Sequence, residues 1–127
     1  MLNHAKSTQY EKVMDTVLEG FQELAEELEM DDEIRNDLLR SFLVRCDGFL
    51  SSLQAVLETG DSELFERTTH SLKGLSGNMR FHRLNQLNET YTSAVHNGKT
   101  NEAQQVLSDM RDEFKTIEKA VLPVIGQ

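Results

Sequence analysis

Apolar residues recur at spacings of three and four through nearly the whole chain, and a single proline, Pro123, interrupts the pattern. That spacing is the period of an α-helix, which turns once every ~3.6 residues. No segment longer than a few residues alternates with the period of a strand. One proline and 7 glycines leave little material for the many tight turns of a sandwich or barrel. The chain is read as all-α.

The breakers divide it into five segments. About residues 8–30 carry Tyr10, Val13, Met14, Val17, Leu18, Phe21, Leu24 and Leu28 on one helical face. Asp31 and Asp32 then offer cap oxygens and acid for a second helix start. That helix bears a stripe of Ile34, Leu38, Phe42, Phe49, Leu53 and Val56, with Leu39, Leu43, Cys46, Leu50 and Leu57 beside it. So wide an apolar arc predicts neighbours on two sides. Gly60 is a stop signal, and Asp61 or Ser62 caps a third helix expected from Ser62 toward Met79. A fourth, from Phe81 to Val95, carries Leu84, Leu87, Tyr91 and Ala94. After the turn Asn97-Gly98-Lys99, Thr100 or Asn101 caps a fifth, with Ala103, Val106, Met110, Phe114, Ile117 and Val121, which Pro123 is expected to end. Short loops between amphipathic helices favour antiparallel neighbours. The expected architecture is an antiparallel up-down four-helix bundle, core about 31–123, with an N-terminal helical cover at about 8–30, in one domain spanning 1–127.

A formal charge of −9 argues against nucleic acid or an anionic membrane as partner, because both would be repelled. The lone Cys46 has no disulfide partner, which suits a reducing cytoplasm. No apolar run reaches membrane-spanning length, and the stretch Met1 to Lys6 lacks the apolar core of a targeting segment. A cytoplasmic monomer is expected.

The third helix departs from simple amphipathicity. At about 100° per residue with His70 as zero, Lys73 falls at about −60°, Gly74 at +40°, Gly77 at −20° and Arg67 at +60°. Leu64, Phe65, Thr68, Leu72, Leu75 and Met79 fall at about 120° to 220°, on the opposite face. His70 therefore points outward on a stripe stripped of bulk by two glycines. Each glycine costs about 1 kcal/mol relative to alanine in a helix. An exposed site returns no packing for that cost, so close approach of an external body is the reading. Between Arg67 and Asn88 the chain holds four basic residues (Arg67, Lys73, Arg80, Arg83) and no acid. Such an island on an acidic chain suits an anion or the acidic pocket of a protein partner.

Three rival readings fit less well. Glu66 and His70 stand four apart, but bundle metal sites use inward-facing, repeated motifs, and His4, His82 and His96 offer no ligand spacing. Cys46 lies on an apolar stripe, which makes it core filler rather than a redox sensor. A purely structural helical adaptor leaves His70 and Lys73 without a role.

The run His70-Ser71-Leu72-Lys73-Gly74, followed by Gly77 and Asn78, resembles the signature of histidine-containing phosphotransfer (HPt) domains of bacterial two-component phosphorelays. Helix order and lengths follow that family from about Glu23 to Leu122. The resemblance implies that His70 is the phosphoacceptor, attacking through Nε2, and that Lys73 neutralises the phosphoryl charge. It implies docking through Arg67, Gly74, Gly77, Asn78, Arg80 and Phe81, with Phe81 at about +20° if the helix extends that far. Part of the second helix's apolar stripe would join that surface. Arg80 is a departure, because many members carry another glycine near its position. The implied partners are receiver domains, one on a hybrid sensor histidine kinase and one on a response regulator. The chain would be a carrier without turnover of its own and without its own cofactor; Mg²⁺ would sit on the receiver. Glu66, one turn from His70, reads as surface charge.

Overall fold

A computed structural model describes residues 17–126. Its described part of the first segment is helix α1, residues 17–27; Tyr10, Val13 and Met14 lie outside the described residues. Four more helices follow: α2 (Asp32–Thr59), α3 (Ser62–Asn78), α4 (His82–His96) and α5 (Thr100–Ile125). No strand occurs among the described residues.

Local chemistry sets the helix ends. Asp31 Oδ1 accepts the Ile34 N–H at 2.8 Å, and Asp61 Oδ1 accepts that of Leu64 at 3.0 Å. Each carboxylate satisfies an N–H that the first helical turn leaves free. Gly60, at φ +70°, closes α2. Three helices end in the same double-bonded turn, in which residue C″ reaches back to C3 and C′ to C2. The left-handed C′ residues are Glu29, Arg80 and Gly98, so two of the three are not glycine.

Two expected ends differ. Pro123 lies inside α5, which continues to Ile125 and closes on Gly126 at φ +80°. Within the last turn the missing N–H deprives only the carbonyl of Lys119, an exposed residue. The cap of α5 is Lys99 rather than Thr100 or Asn101, without a side-chain bond.

Helix α2 packs on α3 and α5, and α4 on α3 and α5, so the contacts run in a ring. The two-sided apolar arc of α2 is thereby used. Leu39, Phe42, Cys46, Leu50, Leu53 and Val56 of α2 are buried against Phe65 and Leu72 of α3, Leu84 and Tyr91 of α4, and Met110, Phe114 and Ile117 of α5. Tyr91 donates its buried hydroxyl to the Leu53 carbonyl at 2.8 Å. Burial pushes the Cys46 thiol up to about 12, with Asp47 adding to the effect. A thiol so held contributes volume rather than reactivity.

Ile34 and Leu38, expected on the buried stripe, are 52% and 38% exposed. Their position follows from length: α2 has 28 residues and α3 only 17, about 42 Å against 26 Å at 1.5 Å per residue. The first turns of α2 project past its shorter neighbour.

Helix α1 seats on the turn between α3 and α4. The Phe21 ring stacks 6.4 Å from Phe81, which in turn lies 4.6 Å from Phe42. Gly20 allows this seat. A Cβ there would stand 2.8 Å from Arg80 Cβ and 2.9 Å from the Arg80 carbonyl oxygen. Because the obstruction includes backbone, Gly20→Ala is expected to destabilise the protein by about 1–3 kcal/mol. Denaturant unfolding checks this; an unchanged or higher midpoint would refute the close seat.

Candidate functional site

Capped by Asp61, α3 turns Phe65, Thr68, Thr69, Leu72, Leu75 and Ser76 inward. The other face holds Arg67, His70, Lys73, Gly74, Gly77 and Asn78, all exposed. The wheel read from sequence therefore holds as far as Asn78. Nothing lies within 4 Å of where a Gly74 Cβ would stand, and the Gly77 position meets only Asn85 Nδ2 at 3.7 Å. Neither glycine is needed for close packing of helix backbones, and both leave the surface around His70 low.

Met79 is buried as the wheel has it, and the wheel fails beyond that residue. Phe81, expected on the outward docking stripe, is only 3% exposed and forms part of the core. The cause is the helix-ending turn: Arg80 takes φ +58°, and the Phe81 N–H bonds back to the Ser76 carbonyl at 2.9 Å. This places Phe81 at C″, the position whose side chain folds against the helix it has just left. Arg80 stands at C′, where left-handed backbone favours glycine. Its guanidinium turns to α1, with Nη2 2.8 Å from Glu27 Oε2 and Nη1 3.3 Å from Oε1. This hydrogen bond and charge hold the Glu27 carboxyl below its usual range.

The basic island is smaller in space than in sequence. Arg80 is engaged with Glu27, and Arg83 Nε lies 3.5 Å from Glu113 Oε1. The Glu113 carboxyl is raised by burial, partly opposed by Arg83. Ion pairs among the described residues do not involve Arg67 or Lys73. These two cations thus remain to meet an anion beside His70.

A groove runs between α3 and α4, with His70 and Lys73 on one side and Glu89 and Thr92 on the other. Glu66 lines the same groove and reaches toward α4: its Oε1 is 3.8 Å from His96 Nε2, while the His96 ring stands edge-on to Phe65 at 5.1 Å. No group of three His, Cys, Asp or Glu among the described residues is arranged to hold a metal ion.

Two residues of the site escaped sequence reading. Asn88 Nδ2 donates to the Thr69 carbonyl at 2.9 Å. Asn85 Nδ2 donates to the Lys73 carbonyl at 3.1 Å and to Ser76 Oγ at 3.0 Å. Thr69 and Ser76 hydroxyls in turn bond the Phe65 and Leu72 carbonyls, at 2.8 and 2.7 Å. Asn88 is 2% exposed, and its Oδ1 has no partner. A buried acceptor left unpaired costs about 1–3 kcal/mol. The signal was present in the sequence: Asn88 stands four after Leu84 and three before Tyr91, at a core position where an apolar residue is expected.

No helix among the described residues is long and apolar enough to cross a membrane. Comparison with curated proteins and with solved structures gives no match. The family model of the Hpt domain matches residues 37–120, a span that includes all of α3 and α4 and with them the exposed histidine stripe. The chain belongs to the Hpt domain family, whose members are histidine phosphotransfer carriers that work with receiver domains in two-component phosphorelays.

Proposed function

We propose that the protein is a monomeric cytoplasmic carrier that accepts a phosphoryl group on His70 from one receiver domain's aspartyl phosphate and passes it to another receiver. The donor receiver would belong to a hybrid sensor histidine kinase and the acceptor to a response regulator. The ring of contacts α2–α3–α4–α5 is read as an antiparallel up-down four-helix bundle, with α1 as its cover. The single observation that carries the functional reading is the exposed His70 beside a cation that no described acid pairs with and a bare helical turn.

In the forward step the neutral imidazole attacks phosphorus through Nε2. A P–N bond forms as the aspartyl P–O bond breaks, and its electron pair leaves on the receiver's carboxylate. The ring keeps its Nδ1 proton, so its positive charge partly offsets the phosphoryl oxygens. Return transfer reverses this: a second carboxylate attacks phosphorus and Nε2 leaves. Phosphoryl transfer depends chiefly on alignment and charge neutralisation. Lys73, one helical turn from His70, supplies a cation on this side, and Mg²⁺ held by the receiver would supply the other. Arg67, Gly74, Gly77 and Asn78 form the docking surface. Arg80 serves the seat of α1 instead, and Phe81 serves the core.

Lys73→Ala is expected to slow transfer about tenfold while leaving the fold intact, since the ammonium acts through charge at an exposed site. The deficit should shrink as salt screens the wild-type cation. Single-turnover transfer from a phosphorylated receiver at two ionic strengths checks this; an unchanged rate at low salt would remove Lys73 from the mechanism.

A further inference from the structure

The stretch of α3 from Thr69 to Gly77 carries two glycines, Gly74 and Gly77, whose backbones are intrinsically less restricted than those of other residues. The carbonyls of Thr69 and Lys73 stand at its two stages: in an α-helix the first accepts the Lys73 N–H and the second the Gly77 N–H. These are the two carbonyls that receive an additional amide from α4, at 2.9 Å from Asn88 and 3.1 Å from Asn85.

We propose that Asn85 and Asn88 are positioning residues, an amide clamp from α4 that fixes the backbone of the turn carrying His70 and Lys73. The proposal rests on the reading of His70 as phosphoacceptor. A second bond from Asn85 to Ser76 Oγ sets the orientation of its amide, and the buried setting of Asn88 does the same there. A Cβ at Gly77 would stand 3.7 Å from Asn85 Nδ2, an ordinary contact, so the clamp does not itself require the glycine. The stranded Oδ1 of Asn88 fits this assignment. A leucine would fill a comparable volume with no unpaired acceptor, so the amide is explained by where its N–H₂ points rather than by net stability.

Asn85→Leu and Asn88→Leu test the clamp, with His70→Gln beside them. In the single variants, exchange of the Gly77 or Lys73 amide hydrogen should quicken about tenfold against amides elsewhere in α3, a factor that corresponds to about 1.4 kcal/mol of local opening. The transfer rate at saturating receiver should fall about tenfold, with the half-saturating receiver concentration unchanged. A merely structural role would instead lower the melting temperature and leave the saturating rate alone. Local amide exchange equal to wild type, or an unchanged saturating rate, would overturn the clamp as a positioning device. Absence of label on His70 in the wild-type protein would overturn the carrier reading itself, and the positioning role with it.

Discussion

Phosphate uptake from a phosphorylated receiver is expected to fall to background in His70→Gln, with the fold unchanged. The effect should be complete because the variant removes the nitrogen proposed to attack. A glutamine amide is not a nucleophile at phosphorus, whereas it keeps polarity and most of the volume at a site already exposed to water. Nothing in the core loses a contact, so unfolding midpoints of variant and wild type should coincide. Two other described histidines serve as internal controls. His82 begins α4 and lies near Gly20, and His96 is set against the Phe65 ring and the Glu66 carboxylate. His82 has no lysine three or four residues on, and His96 ends α4, so that Lys99, three residues later, lies past the helix rather than one turn along it. Mapping the acid-labile phosphate after incubation with the receiver and Mg²⁺ decides the matter. Label confined to His70, lost in the variant, supports the carrier. Binding of the receiver without any label supports the adaptor reading, and label on His82 or His96 would mean that exposure alone governs reactivity.

Legibility in the sequence tracked the kind of physics involved. Periodicity reports which face of a helix is wet, and α3 was readable from Asp61 to Asn78 because it stays regular over that span. It fails where the backbone leaves the helix. The signal for the end of α3 was weak: Arg80 occupies a left-handed position that glycine usually marks, so extrapolation carried Phe81 to the surface. The family glycine that Arg80 replaces corresponds to this left-handed position, so the departure is conformational. Ion pairs were also out of reach. Glu27 and Glu113 neutralise Arg80 and Arg83 across 53 and 30 positions of chain, and no local window contains both members. Exposure of Ile34 and Leu38 depends on relative helix lengths, not on the stripe they share. The amide clamp needed partners on two helices, although Asn88 at an apolar position announced that some buried acceptor or donor required it.

Gly74→Leu should make the protein more stable and less able to exchange phosphate with a receiver. Opposite signs in one variant make this the sharper test of docking. Leucine is favoured over glycine in a helix by about 0.5–1 kcal/mol, and nothing within 4 Å of the new Cβ opposes it. The unfolding midpoint should rise. The same side chain then stands beside His70 on the surface where the receiver's active site must approach to bonding distance. A branched side chain in that approach is a steric element against the partner. Loss of 1.4 kcal/mol of docking energy is already about a tenfold effect, and a clash at the centre of a small contact should exceed it. A small-molecule phosphoryl donor needs no such surface, so its labelling of His70 should be nearly unaffected. Loss with both donors would mean that the nucleophile itself was disturbed. Receiver transfer at the wild-type rate in Gly74→Leu would show that the bare turn is not where the partner sits. Docking would then have to be sought elsewhere, and the exposed Ile34 and Leu38 at the start of α2 would be the next apolar residues to substitute.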